Sequence, residues 1–267
     1  ETDPIDLQVV APPAIERGTL HIEPPAYAAS DHPTLNTSWQ GVSMPDPGPV
    51  LAGSQVTLQL DLGAPAPEIM EQGVQAFDDR GQPTAPPGVT VESPTRWRVN
   101  WVAERSVDVM IRPTDPLGVQ APEALRVGLR VTPDNEPTVS VTEPDTDEAV
   151  TPEAVVPFRV ESRDDLGLAS IGWRLDRQQR SGESAPVLLR EVSRPSTLRE
   201  ETLVDQLSLG SMQAKAGDTL LLRGLARDRM DRSGPTRGTV LSDSRKLRVV
   251  EREAFEPDLL PLPGLHM

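Results

Sequence analysis

Proline is the sequence feature that most restricts how this chain can fold. It accounts for 29 of the 267 residues, about twice its ordinary usage of about 5%. Proline removes a backbone donor and clashes with the preceding turn, so a helix interior has few places to form. Between the prolines lie short segments in which apolar and polar residues alternate. Short alternating segments separated by turn signals predict an all-β fold.

The alternating segments also predict which side chains form the core. Gln55–Leu62, for example, directs its aliphatic residues to one face and its polar residues to the other. Trp173 follows a turn in a position where an immunoglobulin-type sandwich buries a tryptophan. The core residues that we expect are Val56, Leu58, Leu60, Trp97, Val99, Trp101, Val109 and Ile111 in the first half, and Phe158, Val160, Ile171, Trp173, Leu175, Leu220, Leu222 and Val249 in the second.

The second half of the chain repeats the scheme of the first at an interval of roughly 115 residues. Thr138–Val141 corresponds to Thr19–Ile22, and a Glu-Pro pair follows each of them. The repeat predicts two tandem immunoglobulin-like β-sandwich modules of roughly seven strands each. Residues 16–132 and 138–251 form the predicted modules, 133–137 a linker, 1–15 an N-terminal extension or extra strand, and 252–267 a Pro-rich tail.

Three segments do not fit the alternating pattern. The stretch from Asp31 to Pro49 is expected to be a long loop. Within it, Trp39 either folds back on its own module or is offered to a partner, and the sequence favours neither. Residues 68–72 are consistent with one helical turn, and Thr197–Leu207 with either a strand or a short helix.

Composition excludes several classes of function. With 41 acidic against 26 basic residues, a net charge of −15 argues against binding to DNA, RNA or anionic lipid. A hidden basic patch is most expected within Arg223–Arg237. The chain has no cysteine, and no apolar run approaches the roughly 18 residues of a membrane helix. No nucleophile and base are recognisably paired, which argues against an enzyme.

Acidic turns are the most site-like feature of the sequence. The candidate metal ligands are Asp134, Asn135 and Glu136 in the linker and Asp164 and Asp165 after a strand. Clustered carboxylate and amide oxygens are what Ca²⁺ takes. The alternative, which we favour, is that these residues cap their own turns, with nearby Arg163 and Arg130 balancing the charge. We therefore expect no cofactor, with calcium as the alternative.

Several short motifs carry a resemblance to a known family. The string Thr19–Tyr27, which contains Pro-Pro-Ala-Tyr, resembles the opening of Ig-like modules in large bacterial membrane proteins of unknown function. The strings Asp134–Val139, Asp164–Leu168 and Val249–Glu253 are similar to that family too. The resemblance implies an extracytoplasmic segment of a MoxR-ATPase-associated envelope system and brings no catalytic residues. Asp134–Pro137 and Glu161–Gly167 also look like the calcium linker and acidic turn of cadherin-type modules.

These observations together predict a non-enzymatic scaffold or protein-interaction segment of a bacterial envelope protein. Its expected partners are other envelope proteins, and its expected location is the periplasm or cell surface, anchored through flanking segments outside this sequence. We expect no binding of nucleic acid and no direct membrane insertion by this segment. The alternative function is a calcium- or carbohydrate-binding adhesion module.

Overall fold

The computed structural model describes residues 11–67, 73–178, 184–193, 198–230 and 238–255. Strands make up most of this part of the chain, and the only helical elements in it are 3-10 turns at Ala26–Ala28 and Arg252–Phe255. No helix in the described ranges has the length and apolar character needed to span a bilayer. The predicted all-β class is confirmed. The helical turn expected at 68–72 lies outside the described residues.

The chain divides into two structural units, Glu1–Asp134 and Asn135–Met267. In the first unit, two five-stranded sheets have the strand orders β2-β1-β4-β8-β7 and β3-β10-β9-β5-β6. The strands are β1 Ile15–Glu23, β2 Leu35–Gln40, β3 Pro49–Leu51, β4 Ser54–Leu62, β5 Val74–Phe77, β6 Pro83–Thr84, β7 Gly88–Ser93, β8 Arg96–Ala103, β9 Val107–Ile111 and β10 Leu125–Thr132.

The core of unit 1 lies between these two sheets. Alternate residues of β4 and β8 point into it, which is what the period of two in a strand dictates. The indole Nε1–H of Trp97, at the centre, donates a 2.8 Å hydrogen bond to the carbonyl of Ala66. The predicted core is confirmed, with Val56, Leu58, Leu60, Trp97, Val99, Val109 and Ile111 buried, whereas Trp101 is only partly buried.

The prediction that Asp31 to Pro49 forms a long loop is wrong, because this segment contains a strand. Leu35–Gln40 forms β2, which pairs with β1 along six residues. Trp39 is buried against β1, and its indole Nε1–H donates to the carbonyl of Gly41. Its ring covers Gly18, where an added Cβ would lie 2.1 Å from the indole. The aromatic ring fills space left by a glycine on the neighbouring strand, so Trp39 belongs to its own module.

Unit 2 is a second sandwich. One sheet has the strand order β11-β13-β16, and the other has the order β12-β19-β17-β14-β15, with β18 also pairing with β17. The strands are β11 Thr138–Glu143, β12 Glu148–Val150, β13 Val155–Arg163, β14 Leu168–Gln178, β15 Ser184–Ser193, β16 Glu200–Ser208, β17 Thr219–Asp228, β18 Thr239–Leu241 and β19 Arg245–Val249. Within the Thr197–Leu207 stretch, residues 200–207 belong to β16 and are therefore extended rather than helical, and Thr197 lies outside the described residues.

The core of unit 2 is organised around Trp173 on β14. Its ring meets that of Phe158 edge-on, with centroids 5.3 Å apart, an arrangement that aromatic pairs favour. On β17, Gly224 allows the two sheets to approach, since a Cβ there would lie 2.7 Å from Val160. The predicted core residues of this half, Phe158, Val160, Ile171, Trp173, Leu175, Leu220, Leu222 and Val249, are all buried.

Candidate functional site

The outer face of the β15–β14–β17–β19 sheet is the strongest candidate site in unit 2. Trp173 and Leu175 of β14 point into the core, so the intervening Arg174 and Asp176 point outward. Residues that are directly paired across strands share a face, which places their partners on the same side. We call this outward surface the arginine–leucine face. Its members are Ser170, Arg174, Asp176, Leu189, Glu191, Leu221, Arg223, Leu225, Arg227, Thr239, Leu241, Lys246 and Arg248.

A buried carboxylate lies at the centre of this face. Asp176 is 0% exposed, and its Oδ1 accepts a 2.7 Å hydrogen bond from Nε of Arg174. Nη1 of Arg223, on the neighbouring strand, is 3.8 Å from Oδ2, which has no hydrogen-bond partner. A buried ion is costly unless it is paired, so Asp176 holds both guanidinium groups close to the sheet.

A second ion pair lies one row further along the same strands. Oε1 of Glu191 accepts a hydrogen bond from the hydroxyl of Ser170 and lies 3.4 Å from Nε of Arg227. Nη2 of Arg227 also donates to Oε2 of Glu191 at 3.4 Å. These contacts span β15, β14 and β17, so they fix polar groups from three strands in one plane.

Apolar side chains flank these ion pairs and remain open to solvent. Leu189 of β15 and Leu241 of β18 lie on this face and are 57% and 36% exposed. Leu189 lines a groove of about 360 Å³ on the arginine–leucine face. The other lining residues are Arg174, Pro186, Glu191, Leu225, Arg227, Thr239 and Leu241. The groove combines apolar contact area with a few fixed charges, which is the make-up of a binding surface.

The charged side chains that line the groove are held in ion pairs. The groove-lining residues contain arginine, glutamate and a threonine but no histidine, and both charged pairs are already engaged in contacts within the sheet. Of the two histidines in the described ranges, His21 lies on β1 with Nδ1 2.6 Å from Oδ1 of Asn36. His21 and His32 both belong to unit 1.

The sequence-predicted calcium ligands are only partly brought together. Asn135 Nδ2 donates a 2.9 Å hydrogen bond to Oδ2 of Asp165. Asp164 is buried, and its Oδ2 accepts from the backbone N–H of Leu166 two residues on. Within the described ranges, no three His, Cys, Asp or Glu side chains are grouped as a metal would require. The behaviour of Asp134, Asn135, Glu136, Asp164 and Asp165 towards calcium stays a prediction.

The arginines expected to balance these carboxylates have other partners. Arg163 Nη2 is 2.7 Å from Oε1 of Glu200, and Arg130 Nη1 is 3.1 Å from Oδ1 of Asp108. Each of these arginines lies on a strand and faces a carboxylate of a paired strand, and their role in balancing the turn carboxylates stays a prediction. The turn is instead contacted by Arg229, whose Nη1 donates to the carbonyl of Leu166.

A second groove lies on the outer side of the β10–β9–β5 sheet in unit 1. It measures about 500 Å³, and its lining includes Phe77, Met110, Arg126 and Gly128. Phe77 and Met110 are half-buried rather than exposed. The lining of this groove contains neither a fully buried carboxylate nor an aliphatic residue as exposed as Leu189, so we rank it below the arginine–leucine face.

Sequence reasoning found part of this face and missed the rest. It pointed to Arg223–Arg237 as a basic segment, and Arg223 and Arg227 do lie on the face; residues 231–237 lie outside the described residues. It missed Asp176 and Leu189. The available signal was the Arg-x-Asp spacing of Arg174 and Asp176, which puts both side chains on one side of a strand. Leu189 carried no signal, because its exposure depends on where the sheet ends.

Comparisons with known proteins give no family. No family model and no curated protein matches the chain. Among solved structures, fibronectin(III)-like modules of Clostridium thermocellum CbhA align at 14% identity over 82% of this chain and 93% of theirs, with a TM-score of 0.26. DIP-gamma IG1+IG2 aligns at 11% identity over 76% and 93%, with a TM-score of 0.26. The MG0-NIE-MG1 part of Escherichia coli alpha-2-macroglobulin aligns at 15% identity over 71% and 66%, with a TM-score of 0.23.

Proposed function

We propose that this chain is a non-enzymatic, extracytoplasmic segment of a bacterial envelope protein that acts as a spacer and as a protein-interaction scaffold. The arginine–leucine face of unit 2 is its contact surface. The observation that carries this assignment is the groove in which exposed Leu189 lies beside Arg174 and Arg227. Arginine is enriched among the residues that contribute most to protein–protein binding energy, and Leu189 adds exposed apolar contact area beside two arginines.

The arrangement of the sandwich supports a scaffold over an enzyme. Its core is packed between sheets, and charged side chains on its surface form ion pairs such as Arg174–Asp176 and Arg227–Glu191. Such pairs hold a surface in one shape, which lowers the cost of ordering it when a partner binds. The extracytoplasmic location rests on the resemblance of the turn motifs to envelope modules.

Site-specific photo-crosslinking in cells tests this function. In cells that express the full-length protein, p-benzoylphenylalanine replaces Leu189 in one strain and Leu117 in another. Leu117 is the matched control, because it is 69% exposed but lies in a turn of unit 1. We expect a light-dependent adduct with one identifiable envelope protein at Leu189 and none at Leu117.

Protease accessibility tests the location in the same strains. A periplasmic segment should resist added protease in intact cells and be cleaved once the outer membrane is permeabilised. A segment at the cell surface should already be cleaved in intact cells. A segment protected until the inner membrane is broken contradicts the proposed location. A lack of adducts at Leu189 contradicts the proposed contact surface.

A further inference from the structure

We infer that the arginine–leucine face binds a protein segment in which carboxylates lie next to apolar side chains. This inference rests on the proposed interaction function and adds the chemistry of the partner. Two independent properties of the face lead to it, namely its charge and its uncovered aliphatic residues.

The charge of the face has the opposite sign to that of the whole chain. Its cations outnumber its anions, and one of those anions, Asp176, is buried beneath two arginines. Lys246 and Arg248 on β19 extend the positive surface, since they pair with outward positions of β17. The cations are Arg174, Arg223, Arg227, Lys246 and Arg248, and the anions are Asp176 and Glu191. On a chain of net charge −15, such a local reversal attracts and orients an acidic partner.

The aliphatic residues require something more than charge from the partner. Leu189 and Leu241 lie on the face and are 57% and 36% exposed, and exposed aliphatic side chains beside fixed charges are typical of a binding surface. Leu189 pairs with Arg174 across the strands, so an apolar group and a guanidinium are neighbours. A partner that fits this face therefore interleaves apolar and acidic side chains.

These two properties favour a protein segment over a nucleic acid or an anionic bilayer. A nucleic acid supplies negative charge but no aliphatic side chains to cover Leu189. An extended anionic surface of either kind also meets the net charge of −15, which opposes its approach. A short segment carries few charges, so it gains the local attraction with little of that repulsion.

The arginines are held in place before any partner arrives. The hydrogen bond from Nε of Arg174 to buried Asp176 fixes one edge of the guanidinium and leaves the side chain about one-third exposed. Nη1 of Arg223 makes no hydrogen bond to Asp176 but lies 3.8 Å from the other carboxylate oxygen, so the attraction between opposite charges keeps it nearby. Guanidinium groups that are fixed in advance lose less freedom when they pair with a carboxylate.

Selection from a peptide library tests the inference. A yeast-displayed library of random 12-residue peptides is selected against the intact chain at physiological salt. We expect enrichment of peptides that interleave Asp or Glu with Leu, Ile or Phe. The affinity of the most enriched peptide is then measured by fluorescence anisotropy against wild type and variants.

Leu189→Asp and the double variant Lys246→Glu/Arg248→Glu should each weaken peptide binding about tenfold or more, a change equivalent to about 1.4 kcal/mol. Leu117→Asp and Arg17→Glu, at exposed sites in unit 1, are the matched controls and should leave the affinity unchanged. Enrichment of basic or purely polar peptides, or binding that ignores the variants of the face, overturns the inference.

Two further probes separate this inference from its rivals and from the proposed function. Labelled duplex DNA and phosphatidylglycerol vesicles should show no saturable binding at physiological salt. If either probe binds saturably and Leu189→Asp abolishes that binding, the face is a binding site for that ligand and the inference of an acidic protein segment is wrong. A photo-crosslink from Leu189 to a partner whose contacting segment is basic leaves the proposed function standing and overturns only the partner chemistry.

Discussion

The indole Nε1–H of Trp173 donates a 3.0 Å hydrogen bond to Oδ2 of Asp205 and so joins the two sheets of unit 2. Trp173 lies on β14 in one sheet, and Asp205 lies on β16 in the other. Arg190 of β15 donates to the same carboxylate oxygen and closes this edge of the sandwich. One tryptophan thus fills the core and positions a charged group that links three strands.

Trp173→Ala should lower the free energy of unfolding of unit 2 by about 3–5 kcal/mol, the usual cost of removing a buried tryptophan. Trp173→Phe should cost less, because it keeps most of the volume and loses the hydrogen bond to Asp205. Urea unfolding measures the free energy of unfolding of both variants, and hydrogen exchange shows which unit each unfolding transition belongs to. Leu117→Ala, at an exposed turn of unit 1, should change little. A loss below about 1 kcal/mol for Trp173→Ala contradicts this role.

Asp205 should make the stability of unit 2 depend on pH at the acid end. Burial of its carboxylate acts to raise its pKa, but the backbone N–H of Gln206, the Trp173 indole and Arg190 together leave the pKa lowered. A lowered folded-state pKa means that the stabilisation is present above the unfolded value, about 3.9, and is lost as pH falls through the folded value.

Asp205→Asn should therefore flatten the loss of stability below about pH 4. Urea unfolding between neutral pH and about pH 2.5 compares this variant with Asp79→Asn, which lies at an exposed turn of unit 1. If the free energy of unfolding falls equally steeply with decreasing pH in wild type and Asp205→Asn, this carboxylate contributes nothing to the pH dependence.

Gly18→Ala should destabilise unit 1, because the new Cβ would lie 2.1 Å from the Trp39 ring. Overpacking of this kind costs about 1–3 kcal/mol. Gly88→Ala is the matched control: its Cβ would meet only the carbonyl of Asn100 at an ordinary 3.6 Å. Comparing the melting temperatures of the two variants separates the steric effect of the new Cβ from the effect that replacing a glycine has on the unfolded chain. Equal melting temperatures for both would show that Trp39 does not cover Gly18.

Millimolar calcium should leave the melting temperature of the chain unchanged. Asp164 already accepts the N–H of Leu166, and Asp165 accepts from Asn135, so these turns have partners of their own. Occupancy at 100 times the dissociation constant would add about 2.7 kcal/mol by mass action, enough to raise a melt by several degrees. A rise of that size, abolished by Asp165→Asn, would favour the calcium-binding adhesion module instead.

The sequence was sufficient for most of the fold because strand periodicity reports directly on burial. Val56, Leu58 and Leu60 alternate with polar residues, and the buried face follows from that pattern alone. Trp39 was not predictable in the same way, since its burial depends on Gly18, a residue on another strand. Polar segments such as Leu35–Gln40 form strands when a neighbouring edge supplies the hydrogen bonds.

The candidate site was less accessible to sequence reasoning. Acidic turns attracted attention because carboxylates were adjacent along the chain, whereas the groups that form the arginine–leucine face come from separate strands. Arg174, Leu189 and Arg223 lie on β14, β15 and β17 and meet only through strand pairing. Register across a sheet is set by tertiary structure, so no local pattern in a single sequence could have assembled them.

The affinity of the photo-crosslinked partner for the purified chain tests the interaction role of the arginine–leucine face most directly. Titration calorimetry compares wild type, Leu189→Asp and the control Leu117→Asp, with circular dichroism to verify that each is folded. We predict that Leu189→Asp weakens binding about tenfold or more, which corresponds to about 1.4 kcal/mol, and that Leu117→Asp binds as wild type does. Equal affinity of wild type and folded Leu189→Asp would contradict the account.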